Sequence, residues 1–144
     1  MVNDQTADLV IGQTDFATSM WGRTATNFSM PWGLTFDSNG SLWVTDAINL
    51  RVLRFSPPFS NGQAANLVLG QKDFTSFNNA DTPGAVSNGR GIAFDGNGNL
   101  YAEDAWFRRV MIFTPPFENG MPASMIFTPS LSGFGNPTGL FIGH

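Results

Sequence analysis

The stretch ADLVIGQTDF at residues 7–16 returns as ANLVLGQKDF at residues 65–74, starting 58 residues later. The same spacing, without a gap, relates WGLTFDSNG (32–40) to RGIAFDGNG (90–98) and RVLRFSPPFSNG (51–62) to RVMIFTPPFENG (109–120). A repeat of this length is one supersecondary unit that cannot bury its own faces and must stack on copies of itself. The architecture is therefore a stack of similar units.

Each copy of the repeat contains four short segments that are apolar or that alternate between polar and apolar residues. Asn-Gly pairs and double prolines separate these segments, as expected for turns and loops between strands. The predicted strands are 32–37, 41–46, 51–55 and 65–70 in the first copy, and 90–95, 99–104, 109–113 and 123–128 in the second. Four antiparallel strands joined as a meander form the blade of a β-propeller, with strands a to d running outward from the ring axis.

Residues 31–55 read P-x-G-L-x-F-D-x-x-G-x-L-W-V-T-D-x-x-N-x-R-V-L-R-F, and this pattern resembles the NHL repeat. The flanking A-x-L-V-L-G-Q-x-D-F is similar to a form found in bacterial NHL-repeat proteins. The resemblance implies a β-propeller, typically six-bladed in this family. We therefore predict an all-β fold, a β-propeller segment of NHL type with two complete four-stranded antiparallel blades plus flanking strands.

The repeat divides the chain into five units. They are a leading outer strand and loop (1–31), blade 1 (32–70), an inter-blade loop (71–89), blade 2 (90–128) and the start of a truncated third blade (129–144). The strands predicted at 7–12 and 137–142 lack the other strands of their blades. Two hypotheses follow: the chain is a segment of a longer one, which we prefer, or several copies associate through open strand edges to complete a ring or a filament.

The apolar side chains of strands a, b and c are predicted to form the core between stacked blades. These are Leu34, Phe36, Leu42, Val44, Val52, Leu53, Phe55 and the residues 58 positions later. Further blades of the same chain, or other copies, are therefore expected as partners that complete the ring.

The composition excludes several classes of function. The net charge is −4 and the pI is about 4.6, whereas nucleic-acid binding needs a basic stripe. The absence of Cys excludes disulfides and thiolate zinc sites, and no segment is apolar enough to span a membrane. We predict no cofactor. One lysine and a composition rich in Asn, Gly and aromatic residues favour an extracellular or periplasmic bacterial protein.

The loops between strands d and a and between strands b and c are expected on one end of the ring, because alternate connections of a meander share an end. Residues in or beside these loops that differ between the copies are the candidate binding residues. They are Trp21, Arg23, Trp32, Arg90, Glu103, Trp106, Phe107 and Arg108. Exposed aromatic residues with Arg are typical of surfaces that recognise proteins or sugars. The alternative is that these side chains pack the loops onto the blades.

Two Asp–Arg pairs recur at identical spacing, Asp46 with Arg51 and Asp104 with Arg109. Active sites are rarely copied in every repeat, so a structural role at the b–c turn is favoured. DSNGS and DGNGN resemble calcium loops only in part, because the further oxygen ligands of an EF-hand are missing, and a tight hairpin with an Asx turn explains both. No metal site is predicted.

The favoured function is a non-catalytic interaction or scaffold module that binds a protein or a carbohydrate through the loop face. One alternative is part of a metal-dependent propeller lyase or hydrolase, with Glu103 as a ligand or base. His144 is the only histidine, so a site with several His ligands is not available within this sequence. The other alternative is a structural subunit of an extracellular assembly or filament, completed by strand pairing between chains.

Overall fold

The computed structural model describes residues 6–128, and this part of the chain is all-β with no helix. The strands are β1 (Pro31–Phe36), β2 (Leu42–Asp46), β3 (Arg51–Phe55), β4 (Leu67–Leu69), β5 (Ile92–Phe94), β6 (Leu100–Asp104), β7 (Arg109–Phe113) and β8 (Met125–Phe127). They form two four-stranded antiparallel sheets in the orders β1-β2-β3-β4 and β5-β6-β7-β8. The predicted fold class is confirmed, and each strand boundary lies within two residues of its prediction.

Corresponding strands are paired in the same register in the two sheets. Leu42 lies opposite Phe55 in the first sheet, and Leu100 lies opposite Phe113 in the second, 58 residues on. The a–b hairpins also match. The Asp37 carboxylate accepts hydrogen bonds from the backbone nitrogens of Asn39 and Ser41, and the Asp95 carboxylate accepts from those of Asn97 and Asn99, all at 2.9 Å. This Asx turn is the arrangement expected for DSNGS.

The predicted strand at 7–12 is not a strand in the structure. Its position is nevertheless that of an outer strand, because Val10 N donates to Asn61 Oδ1 at 2.9 Å and Gly62 N donates to Val10 O at 3.1 Å. β4 forms its backbone hydrogen bonds with β3, whereas no described strand lies beside residues 7–12 to pair with them in the same way. The predicted strand at 137–142 and His144 lie outside the described residues.

The main core lies between the two sheets. Trp43, Val52 and Leu69 of the first sheet pack against a buried layer of the second that includes Leu100 and Phe113. Two predicted core residues, Leu34 and Phe36, are instead exposed. Their side chains lie on the outward face of the first sheet, where no described strand covers them.

The sheets approach most closely where β1 meets β5. A Cβ added to Gly33 would lie 2.2 Å from the carbonyl oxygen of Arg90, so only glycine permits this separation. This close approach fixes the first strand of each sheet side by side and sets the spacing of the loops at the strand ends.

Candidate recognition surface

The d–a loops and the b–c turns lie together at one end of the sheets. In the first sheet, Ala47 N of the b–c turn donates to Met30 O at 3.0 Å, and Ser29 N donates to the Asp46 carboxylate at 2.8 Å. In the second sheet, Trp106 N donates to Ser87 O at 3.4 Å. We call this end of the molecule, made of residues 13–30, 47–50, 71–90 and 105–108, the loop face.

A buried ion pair anchors the first half of the loop face. Arg51 Nε donates to Asp46 Oδ2 at 2.9 Å, and both side chains are fully buried. The guanidinium also donates to the carbonyls of Thr24 and Asn27 in the preceding loop and of Phe74 in the following loop. Burial lowers the pKa of Arg51, although the Asp46 charge opposes this shift. Arg51 thus connects loops on both sides of the first sheet.

The second sheet repeats this arrangement with different partners. Arg109 Nε donates to Asp104 Oδ2 at 3.0 Å, and its Nη2 donates to Thr82 O at 3.0 Å, the position equivalent to Thr24. Its remaining nitrogen pairs with the exposed carboxylate of Asp81. Burial raises the pKa of Asp104, against the hydrogen bonds from Phe107 N and Arg109.

A cavity of about 290 Å³ opens on the loop face between the two sheets. It is lined by Ala47, Ile48, Leu50, Phe77, Asn79, Asn88 and Trp106. Ile48, Phe77 and Trp106 are exposed, with 66% of Trp106 accessible to solvent. We call these seven residues the groove. Arg23 lies beside it, with its guanidinium carbon 4.2 Å from the centre of the Phe77 ring.

The candidate binding residues do not form one cluster. Trp106 lines the groove, and Arg23 reaches it through Phe77. Trp21 is 83% exposed and lines a separate cavity of about 380 Å³ with Met20 and Met30. Arg108 is exposed in a left-handed conformation, with φ 54°.

Of the remaining candidates, Trp32 and Arg90 lie at or just before the start of the innermost strand of each sheet, Phe107 lies in the b–c turn, and Glu103 lies in β6. Arg90 stacks on Trp32 with its guanidinium carbon 5.1 Å from the ring centre, and Arg109 lies 5.0 Å from the half-buried Phe107 ring. Glu103 is buried, not exposed on the loop face. Its Oε2 accepts from Gly91 N at 2.8 Å, as Thr45 Oγ1 accepts from Gly33 N, while its Oε1 has no partner among the described residues.

Sequence reasoning missed Ile48 and Phe77 as members of the groove. Phe77 replaces Ser19 of the first copy, so the difference between copies that selected Trp106 also marks this residue. Ile48 occupies the position of Trp106 in the first copy, and only the packing of neighbouring sheets shows that both line one cavity.

Comparison with known proteins identifies the repeat. The family model of the NHL repeat matches residues 28–55, which include β1, β2, β3 and the Asp46–Arg51 pair. The predicted resemblance to NHL-repeat propellers is confirmed, and the two antiparallel sheets are consistent with NHL blades. The match indicates a propeller-type module for protein interaction. No curated protein matches the chain.

Within residues 6–128, no group of three or more His, Cys, Asp or Glu side chains is placed to hold a metal ion. The same part of the chain contains no helix that is long and apolar enough to cross a membrane.

Proposed function

We propose that this chain is a non-catalytic interaction module that binds a protein ligand through the groove. The observation that carries the proposal is the exposure of three large apolar side chains, Ile48, Phe77 and Trp106, around one cavity. Apolar side chains grouped at a concave site are typical of binding surfaces, and aromatic residues dominate binding energy there. The ligand we expect inserts an apolar side chain into the groove.

The walls of the groove are held in place before a ligand arrives. Gln71 Nε2 donates to the carbonyls of Leu50 and Asn78, both at 2.9 Å, and Gln71 Oε1 accepts from Asn78 N at 2.7 Å. This side chain joins the b–c turn of the first sheet to the loop that carries Phe77. A preorganised site loses less conformational entropy on binding.

The polar side chains around the groove predict which groups the protein ligand carries beside its apolar residue. Arg23 places a positive charge beside Phe77, so we expect a carboxylate next to the apolar anchor residue. Asn79 and Asn88 supply amide groups at the rim for hydrogen bonds to the ligand backbone. The proposal includes an extracellular or periplasmic bacterial setting, which the composition supports.

Selection from a displayed peptide library tests the proposal. We expect the enriched peptides to share an apolar residue beside Asp or Glu, and Trp106→Ala to weaken their binding at least tenfold. Trp21→Ala is the matched control, because Trp21 is an exposed Trp of the loop face outside the groove. Binding that survives Trp106→Ala, or that Trp21→Ala abolishes equally, contradicts the assignment. Glycans that bind with the same sensitivity to Trp106→Ala, where peptides do not, assign the groove to carbohydrate.

A further inference from the structure

The outward face of the first sheet is an incomplete inter-sheet interface. Leu34 and Phe36 are exposed there, Phe36 by 55%. The residues 58 positions later, Ile92 and Phe94, belong to the core between the sheets, where the Phe94 ring lies 5.4 Å from that of Trp43. The outer strands of this face are already buried under residues 9–30, with Leu53 and Phe55 covered by Ile11 and Phe28. The first sheet thus presents the innermost part of the surface that the second sheet buries against its neighbour.

The outward face of the second sheet is the other half of such an interface. Phe127 is 59% exposed and Met125 is also exposed, whereas the equivalent Leu69 and Leu67 are buried in the core. Tyr101 is half-buried on this sheet, at the position of the fully buried Trp43. The second sheet therefore presents the surface that the first sheet buries.

The contact between the two sheets within one chain shows how these two outward faces fit together. It therefore identifies which surface would cover each of them. We propose that a second copy of the chain stacks head to tail, so that the second sheet of one copy covers the first sheet of the next. Tyr101 would then contact Phe36 and Phe59, as Trp43 contacts Phe94 and Phe117 at ring distances of 5.4 and 4.9 Å. A heterologous contact of this kind closes into a ring or extends into a filament.

The backbone of the second sheet permits the same close approach. Gly33 allows the carbonyl of Arg90 to come near, and the residue equivalent to Gly33 is Gly91. In the stack, Gly91 of one copy lies against Trp32 of the next, without the Cβ that would block contact. Three copies of two sheets would supply six blades, within the range of roughly 4–8 that closes a propeller.

The loop face supports the same stacking. Asn79 and Asn88 line the groove beside Leu50, and the residues at their positions in the first copy are Trp21 and Met30. In the stack, Trp21 and Met30 of one copy lie next to Arg108 of its neighbour, which occupies the position of Leu50. An Arg beside exposed Trp provides a cation–π contact.

Residues 7–12 occupy the place that the neighbour's outer strand would take. Asn119 Oδ1 and Gly120 N bind Val68 of β4, at 2.9 Å each, and Asn61 and Gly62 bind Val10 in the same way. In the stack, Ile126 of the neighbour replaces Val10 at Asn61. No described strand pairs with the segment, so it has to give up its hydrogen bonds to Asn61 and Gly62 and the packing of Ile11, which the neighbour's outer strand replaces.

Sedimentation velocity over about 1–300 μM tests the proposal with the full 144-residue chain. We expect the wild type to associate with rising concentration. Phe36→Glu and Phe127→Glu each remove one face and should each be monomeric, and an equimolar mixture of the two should form a dimer and nothing larger. Both substituted side chains are exposed, so both variants should still fold, and far-UV circular dichroism checks this.

A monomeric wild type over the whole range, or a mixture that stays monomeric, overturns the proposal. So does association of either variant alone, since that requires a contact outside these two faces. Hydrogen exchange supplies a second readout: the Val10 amide should lose protection in the assembled state while the Ile126 amide gains it. A Val10 amide that stays protected in the assembly contradicts this head-to-tail arrangement.

Discussion

The face between the two sheets and the outward face of the first sheet carry the same residue pattern and both contain a buried cluster, but only the first is covered along its innermost strand. Phe94 packs between Trp43 and Phe117 at ring distances of 5.4 and 6.2 Å, whereas Phe36, its equivalent, is exposed. Hydrophobic stabilisation scales with the apolar area removed from water, so the same side chain contributes at one face and little at the other. In this chain the repeat specifies half of each interface, and the neighbouring sheet supplies the rest.

The largest expected difference in stability is between alanine variants of Trp43 and of Tyr101, its equivalent on the outward face of the second sheet. Trp43→Ala should lower the free energy of unfolding by about 3–5 kcal/mol, because it empties the centre of the core. Tyr101→Ala should cost only about 1 kcal/mol, since its ring is half-buried. Both side chains bond to a turn carboxylate, at 2.9 and 3.2 Å, so that contact is matched.

Urea unfolding followed by far-UV circular dichroism at low protein concentration measures both values. Equal losses in the two variants would show that the outward face of the second sheet is packed as tightly as the core, which breaks the comparison between the faces.

A smaller difference is expected between two identical residues, Phe94 and Phe36. Phe94→Ala should cost about 2 kcal/mol, below the full value for a buried Phe because the ring is only partly buried. Phe36→Ala should change the free energy of unfolding by about 0.5 kcal/mol or less, as for most surface substitutions. The same urea titration applies, and a Phe36→Ala loss as large as that of Phe94→Ala would mean that another segment covers the outward face.

Much of the fold follows from the sequence because the repeat and the alternation of side chains act locally. Asn-Gly and double-proline segments mark the turns, so the eight strands are predicted to within two residues. The exposure of Leu34 and Phe36 could not be predicted from the pattern, because burial depends on whether a neighbouring sheet is present. The segment 7–12 fails as a strand for the same reason, since a strand needs a paired neighbour.

The groove was only partly predictable. Trp106 and Arg23 were candidates because they differ between the copies, but their meeting through Phe77 depends on how one sheet packs on the next. Glu103 illustrates the opposite case: its change from Thr45 suggested a functional side chain, while the structure shows it buried and bonded to Gly91 N. A change in residue type marks a different environment without specifying which one.

An intermediate effect tests the polar link between neighbouring units. Asn119→Ala should cost about 1–2 kcal/mol, because it leaves the amide of the buried Val68 without its acceptor. Asn61→Ala should cost less, within about 0.5 kcal/mol, because Val10 is only half-buried and its amide can bind water. Hydrogen exchange reports the two amides separately, and faster exchange at Val10 without a change in global stability is the expected result for Asn61→Ala.

The smallest expected effect concerns the pH dependence of a loop turn. The backbone amide of Thr75, with further hydrogen bonds from Thr75 and Ser76, lowers the pKa of Asp73 from 3.8 to about 2. A carboxylate whose pKa is lower in the folded state stabilises the fold above the unfolded pKa, and this contribution is lost as the pH falls through about 2. Asp73→Asn should therefore weaken the fall in melting temperature between about pH 4 and pH 2.

The first copy provides the matched test, because the backbone amides of Ala17 and Thr18 lower the pKa of Asp15 in the equivalent turn. Asp15→Asn should change the melting temperature in the same direction as the pH falls below the ordinary carboxyl pKa of 3.8. Carboxyl carbon titration by NMR measures Asp73 directly, and a midpoint at the ordinary 3.8 would show that the turn is open in solution. Among the residues that the structure describes, Asp73 and Asp15 each accept hydrogen bonds only from their own loop. Their titration should therefore not depend on whether a sheet face is covered, whereas the stability losses of the Trp43 and Tyr101 variants should.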